Sequence, residues 1–370
     1  MNVVGSSAAP EPPLIGVEGI GKTFGGGRSV FGEVRSGVRA VDDVSFQLRR
    51  GETLGLVGES GSGKSTLGRL ILRLIDPTAG RILFEGREIT GLSQREVRAV
   101  RSRMQMVFQD PYWSLDPRMT VGALIAEPLA VHDCPRDQIP MKTAAIMRQV
   151  GLDPGVAHRY PHEFSGGQRQ RIGIARAMVL EPSLLVLDEP VSALDVSIQA
   201  QILNLLRDIR RKTDVSYLFI AHDLAVVRHI SDRVAVMYLG RIVEIGARDD
   251  IYGRPRHPYT VSLLSAVPVP DPRRERSRQR VVLYGEISSA TAIPAGCRFH
   301  PRCHRARQIA ARDGTETVTR DGEPLPRVCV ERDPALTAVT PAHLAACHFA
   351  EEPAVDAQSS AAGQPHDPRA

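Results

Sequence analysis

The chain has 370 residues, of which 42% are hydrophobic and 24% charged, and a formal net charge of +5 at pH 7. Its length suffices for one large and one smaller domain, and its apolar content argues against a wholly disordered chain. No apolar run approaches the roughly eighteen residues of a membrane-spanning helix, and the N-terminal stretch lacks the pattern of a signal peptide. We therefore expect a cytoplasmic protein that reaches a membrane only through partners.

Most of the chain alternates short apolar runs with helical stretches. Residues 1–13 are predicted to be disordered, residues 14–24 to form a first strand, and residues 25–40 to form a Gly- and Arg-rich loop. From residue 41 onward, continuously apolar strands between helices favour a mostly parallel sheet covered on both faces. The predicted fold class is therefore α/β, with a helical subdomain at about residues 112–178.

The stretch GLVGESGSGKST (55–66) follows an apolar strand and opens a helix. It contains the pattern G-x-x-x-x-G-K-S, in which backbone N–H groups surround phosphate oxygens, the lysine adds positive charge and the serine binds Mg²⁺. This order of strand, loop and helix predicts a nucleotide phosphate site. We assign these residues to it: Gly58, Glu59, Ser60, Gly61, Ser62, Gly63, Lys64, Ser65 and Thr66.

A second apolar strand, SLLVLDEP (183–190), ends in two acidic residues. The carboxyl ends of strands are where α/β sheets place their ligands. We expect Asp188 to hold Mg²⁺ through water, and Glu189 to orient and polarise the water that attacks the nucleotide.

The stretch FSGGQRQRIGIARAM (164–178) opens a helix with a serine at the N-cap and two glycines that expose backbone donors, so an anion could bind there. It resembles the signature motif of ABC-type ATPases. SALD (192–195) resembles the D-loop of that family, AHD (221–223) its switch histidine and FQD (108–110) its Q-loop. The resemblance covers residues 14–245 and implies a P-loop nucleotide-binding domain with a RecA-like sheet core and a helical subdomain.

The resemblance also implies a head-to-tail dimer that binds ATP and Mg²⁺ between its subunits. Each ATP would lie between Gly58–Thr66 of one subunit and four residues of the other: Ser165, Gly166, Gly167 and Gln168. The implied catalytic residues are Glu189, His222 and Gln109. The implied Mg²⁺ ligands are Ser65, Gln109 and Asp188. Asp195 would act across the dimer, and Phe24 would stack on adenine, with Phe31 as an alternative.

Several classes of ABC protein are excluded by the sequence. Exporters commonly fuse membrane helices to the cassette, and this sequence has none. Ribosome-associated types carry two cassettes, whereas this sequence has one phosphate loop, and the repair type splits its cassette with a long coiled coil, of which there is no sign. Four stretches of the sequence resemble the ATP-binding subunits of oligopeptide/dipeptide permeases, and more closely the second, F-type subunit. The matching stretches are residues 108–122, 189–206, 233–246 and 257–268.

This closer resemblance implies peptide import at the cytoplasmic face of the membrane. The implied partners are a second ATPase subunit (a paralogue or a second copy), two transmembrane permease subunits and an extracytoplasmic substrate-binding protein. Importers of nickel, glutathione or another solute remain alternatives, as does a non-transport ATPase that acts on nucleic acid or ribosomes. Trp113 is expected either in the core or in the groove that docks a membrane subunit, and residues 268–280 read as a linker.

Four of the five cysteines lie in the predicted C-terminal extension, residues 251–350, before a disordered tail at 351–370. They are Cys297, Cys303, Cys329 and Cys347, in the pattern C-x5-C-x25-C-x17-C, whereas Cys134 stands apart. In a reducing cytoplasm, clustered cysteines suggest a metal site more than disulfides.

The spacing bears on the identity of such a metal. It lacks the short pairs of most zinc sites, whereas scattered thiolates can hold a [4Fe–4S] cluster, which some members of the resembled family carry in this region. His300, His304 and His348 keep a mixed Cys/His zinc site open, and four unrelated thiols are the remaining alternative. We expect a bound metal to stabilise the extension rather than to take part in hydrolysis.

Overall fold

The computed structural model describes residues 12–25, 37–109, 114–267, 281 and 293–350, and the backbone of residues 27–28 and 34–35. Its strands are β1 Ile15–Phe24, β2 Gly27–Arg28, β3 Val34–Arg35, β4 Val38–Leu48, β5 Thr53–Val57, β6 Ala79–Phe84, β7 Arg87–Glu88, β8 Met104–Val107, β9 Leu184–Asp188, β10 Ser216–Ala221, β11 Arg233–Tyr238, β12 Arg241–Ala247, β13 Thr317–Arg320, β14 Glu323–Pro326, β15 Thr337–Thr340 and β16 His343–Ala345.

The helices of the described residues are α1 Lys64–Ile71, α2 Gln94–Arg101, α3 Val121–Val131, α4 Ile139–Gln149, α5 Gly166–Met178, α6 Val196–Thr213, α7 Leu224–Ile230, α8 Arg248–Gly253, α9 Pro258–Ala266, α10 His304–Ala310 and α11 Arg327–Glu331. In this part of the chain, no helix combines the length and the apolar character needed to cross a bilayer.

The chain divides into two compact units, and both are discontinuous in sequence. The first unit takes residues 1–22, 42–53 and 65–218. The second unit takes residues 23–41, 54–64 and 219–370. The boundary between them falls inside the predicted phosphate loop, between Lys64 and Ser65.

An antiparallel sheet in the order β4-β1-β6-β7 forms one part of the first unit. Strand β1 pairs with β6 from Ile15↔Phe84 onward, and the register shifts between Glu18 and Gly21. In β4, the buried residues Val44, Phe46 and Leu48 alternate with exposed ones. This period of two shows that one face of the sheet packs on the core and the other meets solvent.

Parallel strands form a second part of the first unit. Strands β8 and β9 pair in parallel from Met104↔Leu184 to Val107↔Leu187. All five residues of β9 are buried, because an apolar strand in a parallel sheet is covered on both faces. This pairing agrees with the predicted α/β class.

Helices α3, α4 and α5 form a helical part of the first unit. Helix α3 packs against α4 and α5, and it buries Val121, Leu124, Ile125 and Leu129. Thr120 begins α3 by accepting a hydrogen bond from the Ala123 N–H at 3.3 Å, a side-chain cap that satisfies one of the free donors of the first turn.

The second unit contains five strands in the order β15-β16-β12-β11-β5. Strand β11 runs parallel to β5, and the remaining neighbours are antiparallel. Pairs Glu244↔Ala345 and Ile245↔Leu344 join β12 to β16. Strands β15 and β16 therefore extend this sheet by hydrogen bonding.

Candidate nucleotide-binding site

Strand β5 delivers the chain into the predicted phosphate loop. The strand is buried throughout, and the loop ends where α1 begins at Lys64. Gly61 and Gly63 have φ angles of 78° and 104°, a region that favours glycine. A Cβ on Gly63 would lie 2.2 Å from the carbonyl oxygen of Ala40, so this position has no room for a side chain.

Lys64 closes the loop on itself. Its side chain is 5% exposed, and its Nζ donates hydrogen bonds to the carbonyl oxygens of Gly58 at 2.7 Å and Glu59 at 2.8 Å. The loop is therefore formed in this structure, with its lysine held in place. Such a turn with a cation presents both backbone donors and positive charge to an anion.

In the first unit, Ser65 and Asp188 lie together. Asp188 ends β9 and is 2% exposed, and the Ser65 Oγ donates to its Oδ1 at 2.8 Å. A hydroxyl beside a carboxylate is a donor set that suits Mg²⁺, which usually takes its other ligands from phosphate and water. These two residues fit the predicted magnesium role.

Gln109 and Glu189 form a second contact in the first unit. The Gln109 Nε2 donates to the Glu189 Oε2 at 3.0 Å, which brings together the Q-loop glutamine and the carboxylate predicted to orient water. Glu189 has a φ of 47°, an uncommon value for a residue with a side chain. Such strain is often kept where a side chain must be aimed.

His222 lies in the second unit, directly after β10, and is exposed. The next residue, Asp223, begins α7, and its Oδ1 accepts a hydrogen bond from the Ala225 N–H at 2.7 Å. This cap fixes the turn on which His222 stands.

The signature motif begins α5 as predicted. The Ser165 Oγ accepts from the Gln168 N–H, and the Gln168 side chain accepts from the Ser165 N–H at 3.0 Å, which makes a capping box. A Cβ on Gly167 would lie 2.5 Å from the Ile198 side chain, so α5 and α6 meet closely there. Ser165, Gln168 and the D-loop residue Asp195 are exposed.

Of the three aromatic residues singled out in the sequence, the structure describes Phe24. Phe24 ends β1 and is 42% exposed, so its ring is accessible. Phe31 and Trp113 lie outside the residues that the structure describes.

A cavity of about 250 Å³ lies within the first unit, next to the Q-loop. Its lining is mainly apolar and includes Met104, Phe108, Leu115 and Pro128, together with the polar side chains of Gln170 and Arg176. Arg176 also donates to the Ser114 carbonyl oxygen at 2.9 Å, which fixes one wall of the cavity.

The four C-terminal cysteines line one small cavity of about 20 Å³ in the second unit. They form no disulfide. Burial raises the pKa of Cys297, Cys303 and Cys329 to about 12 and also raises the pKa of Cys347.

The metal prediction finds no support in the arrangement of these side chains. Over the described residues, no group of three or more His, Cys, Asp or Glu side chains is placed to hold a metal ion. The cavity has room for about one water molecule, far less than a [4Fe–4S] cluster needs. As arranged, the cysteines fit neither the predicted cluster nor the zinc alternative.

Sequence reasoning missed two residues that contact the phosphate loop. The Tyr259 Oη accepts from the Glu59 N–H at 2.8 Å, and the Arg302 guanidinium pairs with the Glu59 carboxylate. Arg302 lies 243 residues after its partner, and no local pattern signals such a contact.

Comparison with known proteins agrees with this geometry. The family described as "ABC transporter" matches residues 41–192, and the family "Oligopeptide/dipeptide transporter, C-terminal region" matches residues 243–309. Among solved structures, cbiO1 from Clostridium perfringens, part of an ABC transporter complex, is similar with a TM-score of 0.58 and 27% identity, covering 65% of this chain and 91% of that one. A dimeric, post-hydrolysis ATP-binding cassette, MJ0796 bound to ADP and Pi, is similar with a TM-score of 0.55 and 25% identity, covering 64% of this chain and 99% of that one. The fold and the phosphate loop together define an ATP-binding cassette of the ABC transporter class.

Curated relatives narrow the class further. The oligopeptide transport ATP-binding protein AppF of Bacillus subtilis is 47% identical over 345 residues, which are 93% of this chain and 99% of that protein. OppF of Escherichia coli is 54% identical over 279 residues, which are 75% of this chain and 84% of that protein. A probable peptide ABC transporter ATP-binding protein of Sinorhizobium fredii is 60% identical over 267 residues, 72% of this chain and 75% of that protein. The chain belongs to the family of oligopeptide ABC transporter ATP-binding proteins.

Proposed function

We propose that this chain is the ATP-hydrolysing subunit of an ABC importer of oligopeptides or dipeptides. The observation that carries the proposal is the match of residues 243–309 to the C-terminal region of oligopeptide/dipeptide transporters, because the cassette alone is common to many ABC proteins. Near-complete coverage of AppF supports the same conclusion. We likewise propose that residues 14–250 form the cassette and residues 251–350 its C-terminal extension.

We assign the parts of ATP hydrolysis as follows. The loop Gly58–Thr66 binds the phosphates, with the positive charge of Lys64 on them. Ser65 and Asp188, already hydrogen-bonded, hold Mg²⁺ together with Gln109. Glu189 orients the attacking water, and His222 contacts the γ-phosphate. Phosphoryl transfer needs little covalent participation by the protein, so positioning and charge stabilisation supply most of the rate.

The site is completed by a second cassette. Ser165, Gln168 and Asp195 are exposed, and α5 begins with two half-buried glycines whose backbone N–H groups, as in the first turn of any helix, have no partner within the helix. In a head-to-tail dimer, Ser165–Gln168 of one subunit would face the phosphates bound by the other. The dimeric state of the similar MJ0796 cassette supports this arrangement.

The cavity beside the Q-loop is the proposed docking place for a membrane subunit. Its lining is mainly apolar, its volume is about 250 Å³, and it adjoins the segment that ends in Gln109. Because Gln109 donates to Glu189, a permease segment seated there would be mechanically connected to the catalytic carboxylate. The chain would then work at the cytoplasmic face of the membrane, held there by its permease subunits.

The four cysteines are proposed to stabilise the C-terminal part as thiols, of which Cys303 and Cys329 are buried and Cys297 and Cys347 are half-buried. Their raised pKa values and their small shared cavity support this role. Iron, sulfide and zinc should be measured on chain purified without oxygen. A content near four irons and four sulfides, lost in Cys303→Ser, would reinstate the cluster prediction, and about one zinc per chain would reinstate the zinc alternative.

The importer proposal is tested by uptake in a host strain that lacks this chain. Labelled di- and oligopeptides, nickel and glutathione are supplied separately, and the strain is complemented with wild-type protein or with Glu189→Gln. We expect peptide uptake to be restored by the wild type alone. Restoration of nickel or glutathione uptake without peptide uptake would refute the peptide assignment, and no change in any solute would refute the importer.

A further inference from the structure

An acidic residue stands inside the phosphate-binding loop. Glu59 follows Gly58 directly, and its main-chain carbonyl accepts from the Nζ of Lys64 at 2.8 Å. A carboxylate so close to a polyanion raises the potential energy of the bound phosphates, because like charges repel. The loop therefore carries a charge that opposes its proposed ligand.

The structure supplies a fixed opposite charge for that carboxylate. The Arg302 Nη1 and Nη2 donate to the two carboxylate oxygens of Glu59 at 2.8 and 3.1 Å, a bidentate pair. The Arg302 side chain is only 7% exposed, against 22% for Glu59. The pair is thus shielded from solvent, where a surface ion pair would be worth little.

Arg302 is held in place by its surroundings. Although burial alone would lower the pKa of Arg302, its paired hydrogen bonds to the Glu59 carboxylate raise that pKa above the ordinary value, so the guanidinium stays charged. The rings of Tyr238, Tyr259 and Phe299 pack on one another with centroids 4.7 to 5.5 Å apart. This aromatic cluster fixes the segment that carries Arg302 against the loop.

The main chain of the loop is held independently of the ion pair. The Glu59 N–H donates to the Tyr259 Oη at 2.8 Å, and Lys64 ties the carbonyl oxygens of Gly58 and Glu59. Loss of the Glu59 or Arg302 charge would therefore leave the shape of the loop largely supported. The principal role that remains for the pair is electrostatic.

We propose that Arg302 is the countercharge of Glu59 and a positioning residue for ATP binding. It neutralises the carboxylate of the phosphate-binding loop and draws it toward the C-terminal segment. This inference rests on the proposed ATP-binding role of the loop. It makes the affinity for ATP depend on a residue between Cys297 and Cys303, far in sequence from the nucleotide motifs.

The test is a charge-balanced set of variants in the full chain, with Mg²⁺ and a non-hydrolysable ATP analogue as the probe. Arg302→Met leaves Glu59 uncompensated and is expected to weaken binding about tenfold, the effect of losing one charge-assisted hydrogen-bonded pair. Glu59→Gln alone leaves the positive charge of Arg302 uncompensated and should bind more tightly than wild type. The double variant Arg302→Met with Glu59→Gln should return to within about threefold of wild type.

The salt dependence of analogue binding distinguishes electrostatic repulsion from a loss of local structure. If an uncompensated carboxylate causes the defect, raising the salt from about 0.05 to 0.5 M should reduce the difference between Arg302→Met and wild type. The melting temperature without nucleotide is measured in parallel for all variants. If Arg302 only supported the local structure, Arg302→Met would lower the melting temperature, and the double variant would bind the analogue as weakly as Arg302→Met.

Two controls keep the outcomes distinct. Arg327→Met removes an exposed guanidinium of the C-terminal part that pairs with Glu331 and should leave affinity unchanged. Lys64→Ala tests the loop itself. If wild type and Lys64→Ala bind the analogue equally, the proposed ATP site fails. If Lys64→Ala loses binding but Arg302→Met binds like wild type, or if Glu59→Gln does not rescue it, the countercharge inference is overturned.

Discussion

Ser65 on the first turn of α1 donates a 2.8 Å hydrogen bond to Asp188 at the end of β9, although 123 residues separate them in the chain. Each residue was assigned to Mg²⁺ from its own local motif. Their contact shows that the two motifs converge, since the hydroxyl and the carboxylate lie as close as ligands of one ion must.

Asp188→Asn should weaken Mg²⁺-dependent nucleotide binding by at least about tenfold, because the amide can still accept from Ser65 but lacks the negative charge that attracts the ion. Binding of the nucleotide without Mg²⁺ should change little. Nucleotide titrations with and without Mg²⁺ measure the two affinities. Asp208→Asn, at an exposed position of α6, serves as the control. Equal losses in both titrations would show that Asp188 acts without the metal.

Glu189→Gln should reduce ATP turnover by roughly 10²- to 10⁴-fold and prolong the ATP-bound dimer, because the amide cannot accept a proton from the attacking water. Turnover and the size of the complex with ATP are the measurements. Glu181→Gln is a matched control, since Glu181 also has a positive φ, of 53°, and is exposed. Substantial remaining turnover in Glu189→Gln would remove that residue from the catalytic role.

Gly63→Ala should lower the free energy of unfolding by about 2 kcal/mol or more and abolish nucleotide binding, because the new methyl group meets the Ala40 carbonyl oxygen and the φ of 104° strains any other residue. Denaturant unfolding and nucleotide titration measure the two effects. Gly253→Ala, where a Cβ meets nothing within 4 Å, is expected to be neutral. A stable Gly63→Ala protein that still binds nucleotide would contradict the tight-loop geometry.

The free energy of unfolding should decrease as the pH is lowered from about 6.5 to 4, because of His257. Burial lowers the pKa of this residue to about 4 from its ordinary value of 6.5, so the unfolded chain takes up a proton in this window that the folded chain does not. The contribution of neutral His257 to the free energy of unfolding is fully present above pH 6.5 and is lost as the pH falls toward 4. It amounts to about 3 kcal/mol at most.

His257→Asn isolates this contribution. Asparagine can still accept the Tyr259 N–H, which the His257 Nδ1 accepts at 3.1 Å, but it does not titrate. Melting temperatures at pH 5 and 7.5 should therefore differ less in the variant than in wild type. Equal differences would mean that other groups set the acid response.

Local chemistry explains what could be predicted from the sequence. The phosphate loop, the N-cap at Ser165 and the acidic end of β9 are each encoded within a few residues, where glycine, capping and strand patterns have direct physical meaning. The α/β class follows from the same apolar strands.

Long-range contacts explain what could not be predicted. The pairing of Arg302 with Glu59 and the pairing of β16 with β12 depend on how distant segments meet, and neither leaves a periodic signal. The cysteine spacing suggested a metal, but the positions of the thiols around a 20 Å³ cavity are a property of packing, which spacing does not determine.

The pairing of β16 with β12 has a consequence for how short this protein can be made. If the chain ended before β15, the outer edge of β12 would lose its partner and offer unpaired N–H and C=O groups to other chains, a common route to aggregation. Glu244, fully buried, would also lose His343, whose Nε2 lies 2.7 Å from its Oε1. The last strands thus cover the edge of β12, and a minimal cassette cut at the end of the nucleotide motifs should be poorly soluble.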